Sequence, residues 1–297
     1  MTNQLYYICY KREMQVGDYL KRIAAVNDIS GFGRCSLTAA LPVISALGIE
    51  CCPLPTAVLS NQTGYDSFHC IDLTTELSKF LGEWKKLGTK FDGILTGYIA
   101  SATQAELIST FIDEFATEDT VVVVDPVMAD DGQVYGTYSR SLCAKVAQLA
   151  KKADIITPNL TELCILARHS YKGLIMQSSR SDYLETVEKI ARTLLVGNVK
   201  CVIVTGVRSS SCICNILVEK DKVSVSKSEI FGGSYSGTGD IFSSIVCAHA
   251  VKGTSMVYAV ESATRFLEKS IKDSYREGTD RNDGVNFQKY LEMLTNE

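Results

Sequence analysis

The sequence predicts an α/β fold, a three-layer α/β/α sandwich around a central, mostly parallel sheet. Three observations carry this expectation. Apolar runs such as FDGILTG (91–97), TVVVVDP (120–126) and KCVIVTG (200–206) lack polar alternation, as strands covered on both faces do. Segments with helical spacing separate these runs. Polar residues gather at the carboxyl ends of the strands, the edge along which open α/β sheets bind ligands. With 297 residues the chain is long enough to bury a large core. We expect one domain over 21–297, preceded by an N-terminal extension over 1–20. The LYYICY stretch of that extension is too brief to span a membrane and has no cleavage signal.

The elements follow in order. RIAAVN (22–27) reads as a strand. Residues 36–47 read as a helix in which Leu37, Leu41, Ile44 and Leu47 share a face. Pro42 is expected to disturb only the first turn, and Gly48 to stop the helix. The strand at 91–97 precedes a helix near 103–115. The four valines of 120–126, stopped by Asp-Pro, make the strongest strand and are followed by a helix near 139–150. ADIITPN (153–159) opens into a helix near 160–168, and a helix near 182–196 precedes the strand at 200–206. Residues 211–229 read as a hairpin turning at 219–221. Helices near 239–251 and 255–272 complete the core.

The net charge is −4, which provides no basic field for nucleic acid or an anionic membrane. The 11 cysteines are odd in number and scattered through apolar runs, which indicates a reducing, cytoplasmic compartment rather than a disulfide framework. Cys212 and Cys214, one residue apart, read better as two strand residues on one face than as a metal pair.

The sharpest motif is FGGSYSGTGDIFSSIVCAHA (231–250). Gly237 and Gly239 allow a tight curl. The amides of Gly237, Thr238, Gly239 and Asp240 can then converge on an anion at a helix N-terminus. A phosphoryl group in transfer needs such help, and a carboxylate beside it can accept a proton from an attacking hydroxyl. Asp240 as a mere helix cap is the blander alternative. There is no GxxxxGK[ST], and GFGRCS (31–36) lacks the third glycine of a dinucleotide fingerprint.

The GTGD turn at the head of a late helix resembles the signature of the ribokinase-like superfamily. VNDISGFG (26–33), SNQTGY (60–65), LTGY (95–98), DPVMADDG (125–132) and ITPNLTEL (156–163) resemble its pyridoxal kinase and hydroxymethylpyrimidine kinase branch, over nearly all of residues 22–252. The resemblance implies a ribokinase-like fold and an ATP-dependent kinase acting on the 5′-hydroxyl of pyridoxal, pyridoxine or pyridoxamine. It implies Asp240 as catalytic base, with Gly237, Thr238 and Gly239 as anion hole. Asn27, Asp28, Ser30, Thr63 and Tyr98 become substrate residues. Thr205 and Asn159 become nucleotide residues, with Thr157 beside them. Asp125 and Glu162 become the holders of Mg²⁺, which favours oxygen ligands and retains waters. For Asp125 a turn, and for Glu162 a helix-start box, are the competing readings.

The resemblance leaves a monovalent cation open and implies a homodimer of small-molecule specificity. NDIS is closer to the start of hydroxymethylpyrimidine kinases, whereas SNQTGY points to pyridoxal kinases. A hydroxymethylpyrimidine kinase is therefore the nearest rival, and a non-catalytic B6-binding protein a further one. Ser234-Tyr235-Ser236 stands where sugar kinases carry an Asp. Asp130 and Asp131 are read as lying in a flexible loop, for which a solvated surface and a role near the nucleotide carry equal weight. No cysteine lies in the GTGD turn, and His69, His169 and His249 are given no role.

Overall fold

The computed structural model of the protein describes residues 20–210 and 212–295; the extension expected over 1–20 lies, apart from its last residue, outside them. Nine strands form the main sheet in the order β11-β10-β9-β8-β5-β4-β1-β2-β3. They are β1 (Arg22–Ser30), β2 (Glu50–Leu59), β3 (Cys70–Asp72), β4 (Gly93–Thr96), β5 (Val121–Val124), β8 (Ile155–Ile156), β9 (Cys201–Arg208), β10 (Cys212–Glu219) and β11 (Val223–Glu229). The run from β9 to β2 is parallel; β10, β11 and β3 are antiparallel additions at the two edges. A separate hairpin joins β6 (Ala129–Asp130) to β7 (Gln133–Val134).

Successive strand residues feed opposite layers, as the period of two requires. Val122 and Val124 of β5 pack with α3 (Ala102–Phe115), α4 (Arg140–Ala150), α5 (Leu160–Leu166) and α7 (Tyr183–Arg192). Val123 packs with α1 (Ser36–Ala46), α8 (Thr238–Val251) and α9 (Met256–Arg276). The three layers and the mostly parallel sheet are therefore as expected, and the hairpin turns at 219–221 as read.

Three details differ from the expectation. Pro42 sits well inside α1, beyond its first turn, and the helix continues past it. The strand expected at 153–159 shrinks to Ile155–Ile156 plus a lone parallel bridge between Asn159 and Thr205, because Pro158 in between has no N–H to give. β2 and α2 (Thr74–Lys86) were not foreseen. Pro53 and Pro55 hide β2, since proline argues against a central strand. Both lie where β2 pairs only with β1; β3 covers its outer edge from Ala57 onward.

The segment after α9 returns across the top of the sheet. Asp283 O accepts Arg34 N (3.0 Å), Arg281 O accepts Ser236 N (3.1 Å), and Asn282 Nδ2 donates to Gly64 O (3.0 Å). The Arg34 guanidinium donates to Asp283 O (2.7 Å), and Tyr65 OH bonds the Asp283 carboxylate. Residues 280–284 thus strap together the 31–36 loop, the 60–66 turn and the glycine-rich loop before α8.

Candidate active site

Gly237 heads α8 with φ +80°, and a Cβ there would lie 2.0 Å from Arg34 O, so no side chain fits. The first hydrogen bond of the helix runs from Ile241 N to Gly237 O (3.1 Å). The amides of Thr238, Gly239 and Asp240 therefore occupy the helix end from which anions are bound. Gly239 faces the next strand end, where its Cβ would stand 3.6 Å from Asp125 Oδ2.

Asp240 is gripped from two sides. Asn27 Nδ2 donates to Oδ1 and Ser36 N to Oδ2, both at 2.8 Å. The Asn27 amide oxygen accepts Tyr98 N (2.8 Å) and Asp28 N (3.0 Å), which fixes its orientation. Gly97 must be glycine for this, because a Cβ would fall 2.4 Å from Asn27 Nδ2. Asp28 is buried and accepts the hydroxyls of Ser36 (2.6 Å) and Ser30 (2.9 Å). Burial pushes the Asp240 carboxyl up to about 6; Asp28 adds to the rise, while the Ser36 amide and Asn27 restrain it. Burial likewise raises Asp28 against the pull of Ser36 and Ser30.

Asp125 and Glu162 form a second acidic pair. Both are buried, and burial together with neighbouring carboxylates holds both well above the usual range; Asp240 acts on Asp125, and Asp125 on Glu162. The nearby hydroxyls of Ser243 and Thr157 offset little of the rise at Asp125: Ser243 Oγ donates to Asp240 O (3.3 Å), and Thr157 Oγ1 has no hydrogen-bond partner among the described residues. Glu162 accepts Met128 N (3.0 Å) and Asn159 N (2.9 Å), and Asn159 Oδ1 accepts Glu162 N (3.0 Å), a complete capping box. The remaining amide of Asn159 donates to Ala129 O (2.7 Å). The helix-start reading of Glu162 thus holds, and the same bonds lock the 128–134 segment beside it. No group of three His, Cys, Asp or Glu side chains suited to a metal occurs among the described residues. Two carboxylates raised chiefly by burial and further by neighbouring charge still suit a divalent cation that keeps most of its waters.

The other predicted residues divide. Tyr98 is half-buried, and its ring meets Tyr138 edge-on at 5.9 Å. Thr205 donates its amide to Pro158 O (2.9 Å) beside Asn159. Thr63 stands exposed on the 60–66 turn and joins no hydrogen bond of the Asn27–Asp240 set among the described residues. A cavity of about 390 Å³ beside that turn is lined by Phe32, Ser60, Asn61, Tyr65, Asp66 and Ser67. A larger one of about 440 Å³, between α4, α5 and residues 194–199, contains none of the predicted residues.

Sequence reasoning missed three contributors. Ser36 holds two acids from a backbone with φ +50°, which nothing in its identity announces. Tyr135, though exposed as a whole, feels the charges of Glu162, Asp130, Asp125 and Asp240, which add to desolvation of its hydroxyl in raising its phenol. The strap was signalled only by the turn-forming Asp283-Gly284. Cys35 lies beside Asp240 and Asp28 although it is outside the GTGD turn; burial and those charges push its thiol to about 12, so it is not a thiolate nucleophile. Cys212 and Cys214 do share a strand face, with sulfurs 3.7 Å apart. His249 is buried on α8 with its ring edge-on to Tyr258.

With this geometry in view, comparison with known proteins is specific. The model of the phosphomethylpyrimidine kinase family matches residues 33–285. The pyridoxine/pyridoxal/pyridoxamine kinase of Bordetella avium is 28% identical over 262 residues, covering 84% of each chain. A Bacteroides thetaiotaomicron protein, provisionally described as a phosphomethylpyrimidine kinase and crystallised with pyridoxal, is 36% identical. It superposes with a TM-score of 0.87 over 93% of this chain and 96% of that one. Pyridoxal kinase from Lactobacillus plantarum superposes with a TM-score of 0.82 at 26% identity, over 93% of this chain and 97% of its own.

Proposed function

The chain belongs to the phosphomethylpyrimidine kinase family, and from that premise we propose that it is a pyridoxal kinase, transferring the γ-phosphoryl group of ATP to the 5′-hydroxyl of pyridoxal, pyridoxine or pyridoxamine. The observation that carries the reading is the Asp240 carboxylate, fixed by Asn27 and the Ser36 amide at the head of the glycine turn. Asp240 takes the proton of the 5′-hydroxyl as its oxygen attacks the γ-phosphorus; ADP leaves, and a 5′-phosphate ester remains. The amides of Gly237, Thr238 and Gly239 meet the charge that gathers on the transferring oxygens. Asn27 is a positioning residue for the base as well as part of the substrate wall. Asp28, Ser30, Thr63 and Tyr98 complete that wall in this reading, and Thr205 and Asn159 border the nucleotide. Mg²⁺ would be held by Asp125 and Glu162, largely through waters, and supplies positive charge to the phosphate oxygens.

The kinase domain is taken as 21–297. A cytoplasmic setting is proposed on the ten cysteines that stand as free thiols among the described residues. No helix among the described residues is long and apolar enough to cross a membrane. A homodimer is proposed by analogy with the family.

Hydroxymethylpyrimidine remains the competing acceptor, since the family's description names a kinase of the phosphomethyl form of a pyrimidine. The deciding experiment offers purified protein and Mg-ATP each of the three B6 vitamers and hydroxymethylpyrimidine. The reading requires kcat/KM to be highest for a B6 vitamer. Preference for hydroxymethylpyrimidine would overturn the acceptor assignment, and phosphorylation of none would overturn the kinase.

A further inference from the structure

The acids around α8 lack a cationic counterpart. The donors to Asp28 and Asp240 are Asn27, Ser30 and Ser36, with no lysine or arginine among them. A nucleoside triphosphate brings roughly four further negative charges to this place, and helix amides alone offer only about half an elementary charge. Arg34, which is nearby in sequence, is occupied by Asp283 O, Gly284 O and Asn286.

Arg281 is differently placed. It opens the strap, and its own carbonyl accepts Ser236 N, the residue before Gly237, at 3.1 Å. Its side chain lies back over the same loop, with Nε donating to Ser234 Oγ (3.0 Å). The Arg281 charge also acts on Asp130 of β6. Burial and Asp131 push that carboxyl up, and the Arg281 charge draws it back. The residue is exposed, and no described residue accepts from Nη1 or Nη2. Backbone and Nε thus fix the guanidinium over the glycine-rich loop, with its two terminal nitrogens available. Paired N–H donors of this kind match phosphate oxygens.

We propose that Arg281 is a phosphate-binding residue, whose Nη1 and Nη2 contact the polyphosphate of the nucleotide at the mouth of the cleft. This rests on the kinase reading and adds to it a cation supplied from the far end of the chain.

The test is calorimetric titration of the full chain with ADP and with inorganic tripolyphosphate, for wild type, Arg281→Gln and Arg281→Lys. Arg281→Gln is expected to weaken both ligands by about tenfold or more, as loss of a charge-assisted pair does. KM for ATP should rise in parallel, with KM for the vitamer and Tm unchanged, and Arg281→Lys should recover part of the loss. Unchanged tripolyphosphate binding in Arg281→Gln, with wild type binding normally, would overturn the inference and leave the kinase intact. A fall in Tm together with equal rises in both KM values would also overturn it, making Arg281 a part of the strap only. Failure of the wild type to bind either ligand would remove the kinase reading and the inference together.

Discussion

Asp28 and Asp240, where β1, α1 and α8 meet, receive four donors: the hydroxyls of Ser30 and Ser36, the Ser36 amide and the Asn27 side chain. Asp125, just past the end of β5, and Glu162, in the first turn of α5, are raised further, chiefly by burial, with the Asp240 charge adding at Asp125 and the Asp125 charge at Glu162, and their donors do not hold them in the ordinary carboxylate range. The contrast separates two tasks. The first pair is oriented before any ligand arrives, so its geometry is built into the fold and a base can stand ready. The second pair is left with surplus negative charge, which a divalent cation arriving with the nucleotide would neutralise.

The largest effect that would break this contrast is at Asp125. Asp125→Asn should lower kcat at saturating Mg-ATP by about two orders of magnitude or more, the scale of losing one electrostatic stabiliser of the transition state. It should also stabilise the metal-free protein. A carboxyl raised in the folded state contributes stability at low pH that is lost as pH rises through its folded value, so removing the charge helps most at alkaline pH. A rise in metal-free Tm of about 2 °C at pH 8 corresponds to ~1 kcal/mol for a chain of this size. A drop in Tm would show Asp125 to be as well satisfied as Asp28.

Asn27→Ala ranks next. A hydrogen bond to a charged group is worth about 1.5–3 kcal/mol, so kcat should fall by roughly 10- to 100-fold. The pH profile sharpens the point. Asp240 must be ionised to accept a proton, so wild-type kcat/KM should fall as pH drops through about 6. Without the Asn27 donor the protonated form gains, and this acid limb should move to higher pH. An unmoved limb would detach Asn27 from the base. Ser30→Ala should be the mildest change. It removes one of two hydroxyls on Asp28, and about 1 kcal/mol or less of stability should be lost in a denaturation curve.

What the sequence revealed and what it hid follow the same physics. Residues whose environment is set by their own segment were legible: the four valines of 120–124, the 219–221 turn, the glycine turn with Asp240. The strand ends bearing Asn27, Asp125 and Asn159 were legible because ligand sites on open sheets fall there. Asn27 was assigned to the substrate, but its grip on Asp240 bridges 213 positions and leaves no local pattern. The same is true of Ser36, which acts through a backbone amide that any residue carries. β2 was obscured by prolines tolerated only because its outer edge is open there. The strap left only the turn signal of Asp283-Gly284, because its partners, Arg34, Gly64 and Ser236, come from three separate loops.

The central claim is that Asp240, pre-positioned at the head of α8, is the base for phosphoryl transfer. Single-turnover transfer from Mg-ATP to pyridoxal by Asp240→Asn tests it most directly. Asparagine keeps the shape and an acceptor for Asn27 or Ser36 but cannot take a proton. The rate should fall by about 100-fold or more, with ADP affinity unchanged. A rate equal to that of the wild type would contradict the account.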